Sequence, residues 1–240
     1  MSPEKKKIVV VLPAYNAEKT LEQTVRDIPE GSYDEIILVD DASRDHTVEE
    51  AKRLGIHTIV HTENKGYGAN QKTCYTEALK LGADIIVMLH PDYQYDPKIL
   101  PSLTAPILYH YADVVLASRI LGDPHKGGPL RGGMPLYKYL ANRFLTRFQN
   151  FFFGMHLSEY HTGYRAYSRE ALEKVDFMHF SDDFIFDNEI LISFIQAGLT
   201  FKEVPVSTKY FKEASSINFK RSMKYGISIL RNTFKAKFSK

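Results

Sequence analysis

The first half of the chain alternates in a way that leaves few folds open. Short β-branched runs at 8–12, 35–39, 57–60, 84–89 and 113–117 are separated by longer amphipathic stretches at about 17–27, 45–54, 69–81 and 97–110. Strands that are apolar almost without interruption need cover on both faces. Parallel neighbours need a helix to bring the chain back. The pattern therefore predicts an α/β fold, a mostly parallel sheet flanked by helices. At 240 residues and 44% hydrophobic content, one domain with a modest extension is expected.

The pattern changes after about residue 120. The segment 122–133 holds five glycines and two prolines and reads as a loop. An aromatic stretch follows, with Leu136, Leu140, Phe144, Phe148, Phe151 and Phe152 at three- and four-residue spacing. A helix is expected at about 188–196 and a strand at 201–206. From Phe219 the apolar residues Met223, Ile227, Leu230, Phe234 and Phe238 continue one helical face, and no acid follows Lys220. Such a basic amphipathic segment reads either as a helix lying on a membrane surface or as one that docks on the domain. The expected division is 1–212 for the main domain, with halves 1–120 and 121–212, and 213–240 for the C-terminal amphipathic extension.

The formal net charge of +2 gives no reason to expect nucleic acid as a partner. Cys74 is the only cysteine, so no disulfide forms within the chain; this fits a reducing compartment. The N-terminal apolar stretch ends at Pro13 and does not read as a signal peptide. No run approaches the roughly 20 apolar residues of a membrane span. The expected location is cytoplasmic, peripheral at the inner face of the membrane if the C-terminal helix contacts lipid.

In open parallel sheets, ligands bind beyond the carboxyl ends of the strands. Those ends read PAYN at 13–16, DDASRDHT at 40–47, HTENKGYG at 61–68 and HPDYQ at 90–94. All four are polar. Neither GxGxxG nor GxxxxGK[ST] occurs, which disfavours dinucleotide and P-loop enzymes. Ser43 and Asp45 also suit helix capping, but capping does not explain carboxylates at two strand ends. A buried acid costs several kcal/mol unless it is paired or hydrogen-bonded.

VVVLPAYNAEKTL, ILVDDASRDHT and NKGYGANQKT, in that order and spacing, resemble glycosyltransferase family 2, over roughly residues 7–210. The resemblance implies the GT-A nucleotide-diphospho-sugar transferase fold and an inverting glycosyltransferase of glycan or polysaccharide biosynthesis, using a nucleoside-diphosphate sugar. It implies that Pro13, Ala14 and Tyr15 wall the nucleotide pocket. Asp41 would contact the base with Asp40 and Ser43 in support, and Lys65 and Gly66 would lie close by.

The family's Asp-x-Asp-like motif, which holds a divalent cation (Mn2+ or Mg2+) on the diphosphate, falls on His90-Pro91-Asp92. By position Asp92 is a metal residue, and Gln94 falls where polyprenyl-phosphate sugar transferases carry an amide ligand. His90 replaces the first aspartate and stands open between cation ligand and a donor behind the ligands. Manganese accepts imidazole as well as carboxylate. Asp96-Pro97 reads as a helix cap.

Displacement at the anomeric carbon by a hydroxyl acceptor needs a base. By the resemblance this is Asp187, eleven residues before Gly198, although an acid there also suits a helix N-terminus. Thr162 and Gly163 would border the donor sugar, and Arg165 would brace the base or meet a phosphate. Arg119 and Glu189 match the polyprenyl-phosphate branch. Lys138 reads equally as a second phosphate-facing cation or a solvated lysine. In that branch a lipid phosphate is the acceptor, already anionic, and Asp187 would position rather than deprotonate. The first expectation is a hydroxyl acceptor, glycan or lipid-linked, and the lipid phosphate of the polyprenyl-phosphate branch is the alternative. The rival of another class is a non-catalytic nucleotide-sugar binding protein with a degenerate metal site. A nucleotidyltransferase is disfavoured, because PAYNAEKT is not a glycine-rich activating loop.

Overall fold

The structure, a computed structural model, describes residues 5–122, 128–210 and 219–238, with side chains of the last segment described from Ser222. Seven strands form one sheet: β1 (Ile8–Ala14), β2 (Glu35–Asp40), β3 (His57–Val60), β4 (Ile85–Met88), β5 (Val114–Ser118), β6 (Arg165–Ser168) and β7 (Phe201–Pro205). Their order is β3-β2-β1-β4-β6-β5-β7, parallel except for β6. The helices are α1 (Leu21–Arg26), α2 (Thr47–Arg53), α3 (Tyr67–Lys80), α4 (Leu100–Leu108), α5 (Gly128–Arg131), α6 (Leu136–Phe153), α7 (Arg169–Glu173), α8 (Phe186–Gln196) and α9 (Phe219–Phe238).

The apolar runs become strands because both of their faces are covered. Val9, Val11, Ile37 and Val39 point into one core with Tyr75, Phe186 and Phe194. Their neighbours Val10, Leu12, Ile36 and Leu38 point into the opposite core with Leu21, Leu100 and Leu103. Alternate residues of a strand face opposite sides, so a sheet with two cores needs apolar residues at every position.

Chain direction across the sheet reverses at β1. The chain moves outward from β1 to β2 and β3, then returns through α3 to β4 on the other side. Ala14 is level with Asp40, and Val11 with Met88, so three strand ends open on one crevice.

Several expectations are corrected. The segment predicted as a loop at 122–133 contains the helical turn α5; residues 123–127 lie outside the described residues, as do residues 211–218 around the start of the expected C-terminal extension. Just after Thr162 and Gly163, Arg165–Ser168 forms a strand, β6, absent from the sequence pattern. The helix expected from 97 begins as a 3-10 turn, with Asp96 accepting from the Lys98 amide at 3.1 Å and Pro97 at its first position. That is the cap read from the sequence.

Helix α6 is inverted relative to an ordinary docking helix. It buries Asn142, Leu145, Thr146 and Gln149 and exposes Leu136, Leu140, Phe144 and Phe151. It ends at Gly154, whose φ of 66° suits a left-handed cap. Helix α9 lies against it. Ile229 and Thr233 are buried, whereas Met223, Ile227, Phe234 and Phe238 are exposed.

Candidate active site

The turn at 65–67 joins the strand ends. Asp41, buried at the end of β2, accepts the backbone amides of Lys65 at 2.8 Å and Gly66 at 3.0 Å. His61 Nδ1 lies 2.8 Å from the same carboxylate. Asp40 accepts the Ser43 amide at 2.9 Å and the Ser43 hydroxyl. Ser43 in turn accepts the Asn16 amide at 2.8 Å, and Asn70 on α3 donates to the carbonyls of Ala14 and Val39. These bonds satisfy the two buried carboxylates and fix the walls around Pro13, Ala14 and Tyr15. Tyr15 is half exposed at the mouth.

Non-glycine residues with positive φ stand at three of these strand ends: Asn16, Ala42 and Tyr93, with φ of 54°, 58° and 55°. Such strain is tolerated where the surroundings over-determine the turn, and it collects at functional sites.

Directly after Gly66, Tyr67 turns toward α8. Its hydroxyl donates to Asp187 Oδ2 at 2.8 Å and meets His90 Nε2 at 2.9 Å. Gln71, one turn later on α3, donates to Asp187 Oδ1 at 3.0 Å, and Arg165 Nη1 is 3.4 Å from that oxygen. The buried Asp187 lies in the first turn of α8 and is thus braced by three separate groups. Burial, then the Asp187 charge, holds the Tyr67 phenol well above its usual range, so it remains a donor. Tyr67 and Gln71 were not assigned roles from the sequence; their partners lie more than a hundred residues away.

Close packing makes this approach possible. A Cβ on Gly66 would stand 2.6 Å from the Asp182 carbonyl oxygen, and the Gly68 amide donates to that oxygen at 2.8 Å. A Cβ on Gly163 would stand 2.7 Å from Cδ2 of His90. Burial lowers the His90 pKa, and its ring also bonds the Pro13 carbonyl.

Asp92 is partly buried and accepts the Gln94 amide at 3.1 Å. Gln94 lines a cleft of about 490 Å3 with Tyr93, Lys98, Arg131 and Lys209. Among the described residues no three His, Cys, Asp or Glu side chains converge as a cation cage. One carboxylate still fits Mg2+ or Mn2+, which commonly combine one or two carboxylates with substrate phosphates.

A family model described as glycosyl transferase family 2 matches residues 9–176. The chain belongs to glycosyltransferase family 2. Like it is a UDP-N-acetylglucosamine–dolichyl-phosphate N-acetylglucosaminyltransferase of Methanococcus voltae, 30% identical over 85% of this chain and 86% of that one. A polyprenol monophosphomannose synthase of Mycolicibacterium smegmatis is 27% identical over 83% and 76% of the two chains. Glucosyl-3-phosphoglycerate synthase from Mycobacterium tuberculosis, in complex with Mn2+ and UDP-glucose, has a TM-score of 0.69 at 20% identity. The match covers 97% of this chain and 79% of that one, and it shows the shared GT-A fold.

The remaining expected residues of this glycosyltransferase lie around the ends of β5 and β6 and at α6 and α8. Arg119, at the end of β5, pairs with the buried Glu159, donates to the His161 carbonyl at 2.7 Å and contacts the Tyr210 hydroxyl at 3.1 Å. Burial works against the Glu159 charge, but Arg119 overrides it and holds the carboxyl below its usual pKa. Burial, then the charge of Arg119, lowers the pKa of Lys138. Thr162 is buried, and its carbonyl accepts Arg165 Nε at 2.6 Å. Arg165 therefore braces Asp187 and the 160–162 turn. Glu189 accepts the Ser181 amide at 2.7 Å and braces the loop before α8. Asn142 and Glu159, unassigned from sequence, orient Arg119.

Proposed function

We propose that this glycosyltransferase moves a sugar from a nucleoside-diphosphate sugar, with inversion, to a polyprenyl-phosphate acceptor at a membrane surface. The observation that carries the acceptor class is the inverted α6–α9 surface. A helix that buries Asn142, Thr146 and Gln149 while exposing Leu136, Leu140, Phe144 and Phe151 is arranged for an apolar exterior. Lys224, Arg231, Lys235 and Lys237 flank the exposed apolar residues of α9, which suits anionic headgroups. Tyr225 of the same helix reaches His161 at 3.3 Å, beside Thr162 and Gly163, so this surface adjoins the site. Among the described residues no helix is long and apolar enough to cross a membrane.

The donor occupies the crevice beyond β1, β2 and β4. Asp41 Oδ2 has capacity for a further donor from the base, while Asp40 and Ser43 hold the wall. Asp92, with Gln94 beside it, holds the divalent cation together with the diphosphate oxygens. That cation supplies charge neutralisation for the departing diphosphate. Arg119 and Lys138 attract the acceptor phosphate; Asp187, Thr162 and Gly163 border the transferred sugar. The relatives named as a dolichyl-phosphate N-acetylglucosaminyltransferase and a polyprenol monophosphomannose synthase support this reading.

A hydroxyl acceptor is the second reading, favoured by the carboxylate at the start of α8. Against it, both Asp187 oxygens already accept protein donors. Such bonds stabilise the charged form and weaken a base. An anionic phosphate needs no base. The test incubates the full chain with Mn2+, a panel of labelled uridine and guanosine diphospho-sugars, and vesicles carrying polyprenyl phosphate or a lipid-linked glycan. Label on the polyprenyl phosphate is expected; label only on the lipid-linked glycan selects the second reading and overturns the first.

A further inference from the structure

The hydrogen-bonded row His90–Tyr67–Asp187 spans the join between the nucleotide and acceptor halves, and nothing in the roles above requires it. His90 lies two residues after β4, Tyr67 opens α3 and Asp187 lies in the first turn of α8. The Tyr67 hydroxyl meets His90 Nε2 at 2.9 Å and donates to Asp187 at 2.8 Å. The Tyr67 ring also stacks on His90 at 5.3 Å and on Phe184, just before α8, at 4.7 Å. The imidazole is enclosed by the Pro13 carbonyl, Tyr67 and Gly163.

That enclosure bears on the cation. A metal sits roughly 2 Å from a ring nitrogen that binds it. At Nε2 this space is taken by the Tyr67 hydroxyl, with Gly163 packed on the same edge of the ring. The ring also bonds the Pro13 carbonyl. Asp92, two residues on, is partly exposed and carries the carboxylate that suits a hard cation.

We propose that His90 and Tyr67 are positioning residues that orient Asp187 across the cleft, and that His90 is not a ligand of the donor's cation. The sequence places a histidine where related enzymes place a carboxylate, and its geometry serves a different end. A carboxylate held by Gln71 and Arg165 alone is fixed on its Oδ1 side. Tyr67 donates to Oδ2, and the His90 ring, stacked on Tyr67 with Nε2 beside its hydroxyl, holds the tyrosine in place. The nucleotide wall at Pro13 and the carboxylate beside the transferred sugar thereby share one rigid linkage. The inference rests on the reading of Asp187 as a group facing the reacting sugar.

The experiment compares full-length wild type with His90→Gln, Tyr67→Phe, Asp92→Ala, Asp187→Asn and the Tyr67→Phe/Asp187→Asn double variant. The first readout is thermal stabilisation by UDP or GDP as Mn2+ is titrated. His90→Gln and Tyr67→Phe should keep the half-maximal Mn2+ concentration within about threefold of wild type, whereas Asp92→Ala should raise it at least about tenfold. A tenfold rise in His90→Gln overturns the proposal, because it makes the ring a ligand. The second readout is steady-state transfer. Tyr67→Phe keeps the ring and removes only the hydroxyl, so it guards against a His90 variant that does not fold. It should lower kcat by about 10–100-fold with donor KM within about threefold. The double variant should be no slower than Asp187→Asn, the non-additivity expected of groups acting as one unit. Wild-type kcat in Tyr67→Phe, or additive losses, overturn the proposal. A wild-type rate in Asp187→Asn, or no wild-type response to Mn2+ and nucleotide, instead removes the reading on which it rests.

Discussion

His161 shows how a single side chain couples the site to the C-terminal helix. Its Nδ1 faces the Tyr225 hydroxyl, and its buried Nε2 has no hydrogen-bond partner among the described residues. Burial lowers its pKa to about 4; Glu159 opposes the shift, and Arg119 and Arg165 add to it. The folded ring therefore stays neutral where the unfolded ring, near its ordinary 6.5, takes a proton. The stability this contributes is complete above about pH 6.5 and is lost as pH falls toward 4, by up to about 3 kcal/mol. Denaturant unfolding from pH 7 to 4 should show this slope, and His161→Phe should flatten it. Nothing in the local sequence beside Thr162 and Gly163 announces the burial of His161. By contrast, Asp41, Asp92 and Asp187 were legible as acids at element ends. Tyr67, Gln71 and Glu159 were not, because a polar side chain declares its partner only after distant strands align.

At the scale of elements, the first four strands were legible because burial on both faces writes itself as unbroken apolar sequence. Strand β6 was not. Its four residues, Arg165–Ser168, include a fully buried arginine whose charge is met by the carbonyls of Tyr160, Thr162 and Asp187 and by the Asp187 carboxylate. No local pattern announces such a strand. Helix α6 was legible by period but not by polarity, since Leu136, Leu140, Phe144 and Phe151 are left outward while Phe148 and Phe152 pack on Phe234 of α9. Leu140→Asp and Phe144→Asp should therefore change folding stability by less than about 0.5 kcal/mol, as surface substitutions do. The same changes should abolish sedimentation with vesicles containing anionic lipid. Thr146→Leu, on the buried face, should behave oppositely. It should overpack the α6 contact at a cost of about 1–3 kcal/mol and leave vesicle binding intact in the folded fraction. Vesicle binding unchanged in the two aspartate variants would assign the exposed stripe to something other than lipid.

For the whole molecule, reversal of strand order at β1 lets one crevice be built from both halves, and the 65–67 turn carries the linkage between them. Asp41 grips the turn from the nucleotide side, while Tyr67 leaves it toward Asp187. Nucleotide binding should consequently stabilise the entire domain. At a free nucleotide concentration 100 times Kd, UDP or GDP with Mn2+ should add about 2.7 kcal/mol. For a chain of this size that corresponds to a Tm rise of roughly 5–10 °C. Asp92→Ala and Asp41→Asn should both reduce the rise, for separable reasons. Asp92→Ala removes a group at the rim, so Tm without nucleotide should hardly move and only the Mn2+-dependent part should vanish. Asp41→Asn weakens bonds to two backbone amides and to His61, so Tm without nucleotide should itself fall, by about 1–3 kcal/mol of stability. A nucleotide effect left intact in both variants would move the donor away from this crevice. Loss of the Mn2+ effect in Asp92→Ala alone, with an unliganded Tm near wild type, would tie the cation to the end of β4.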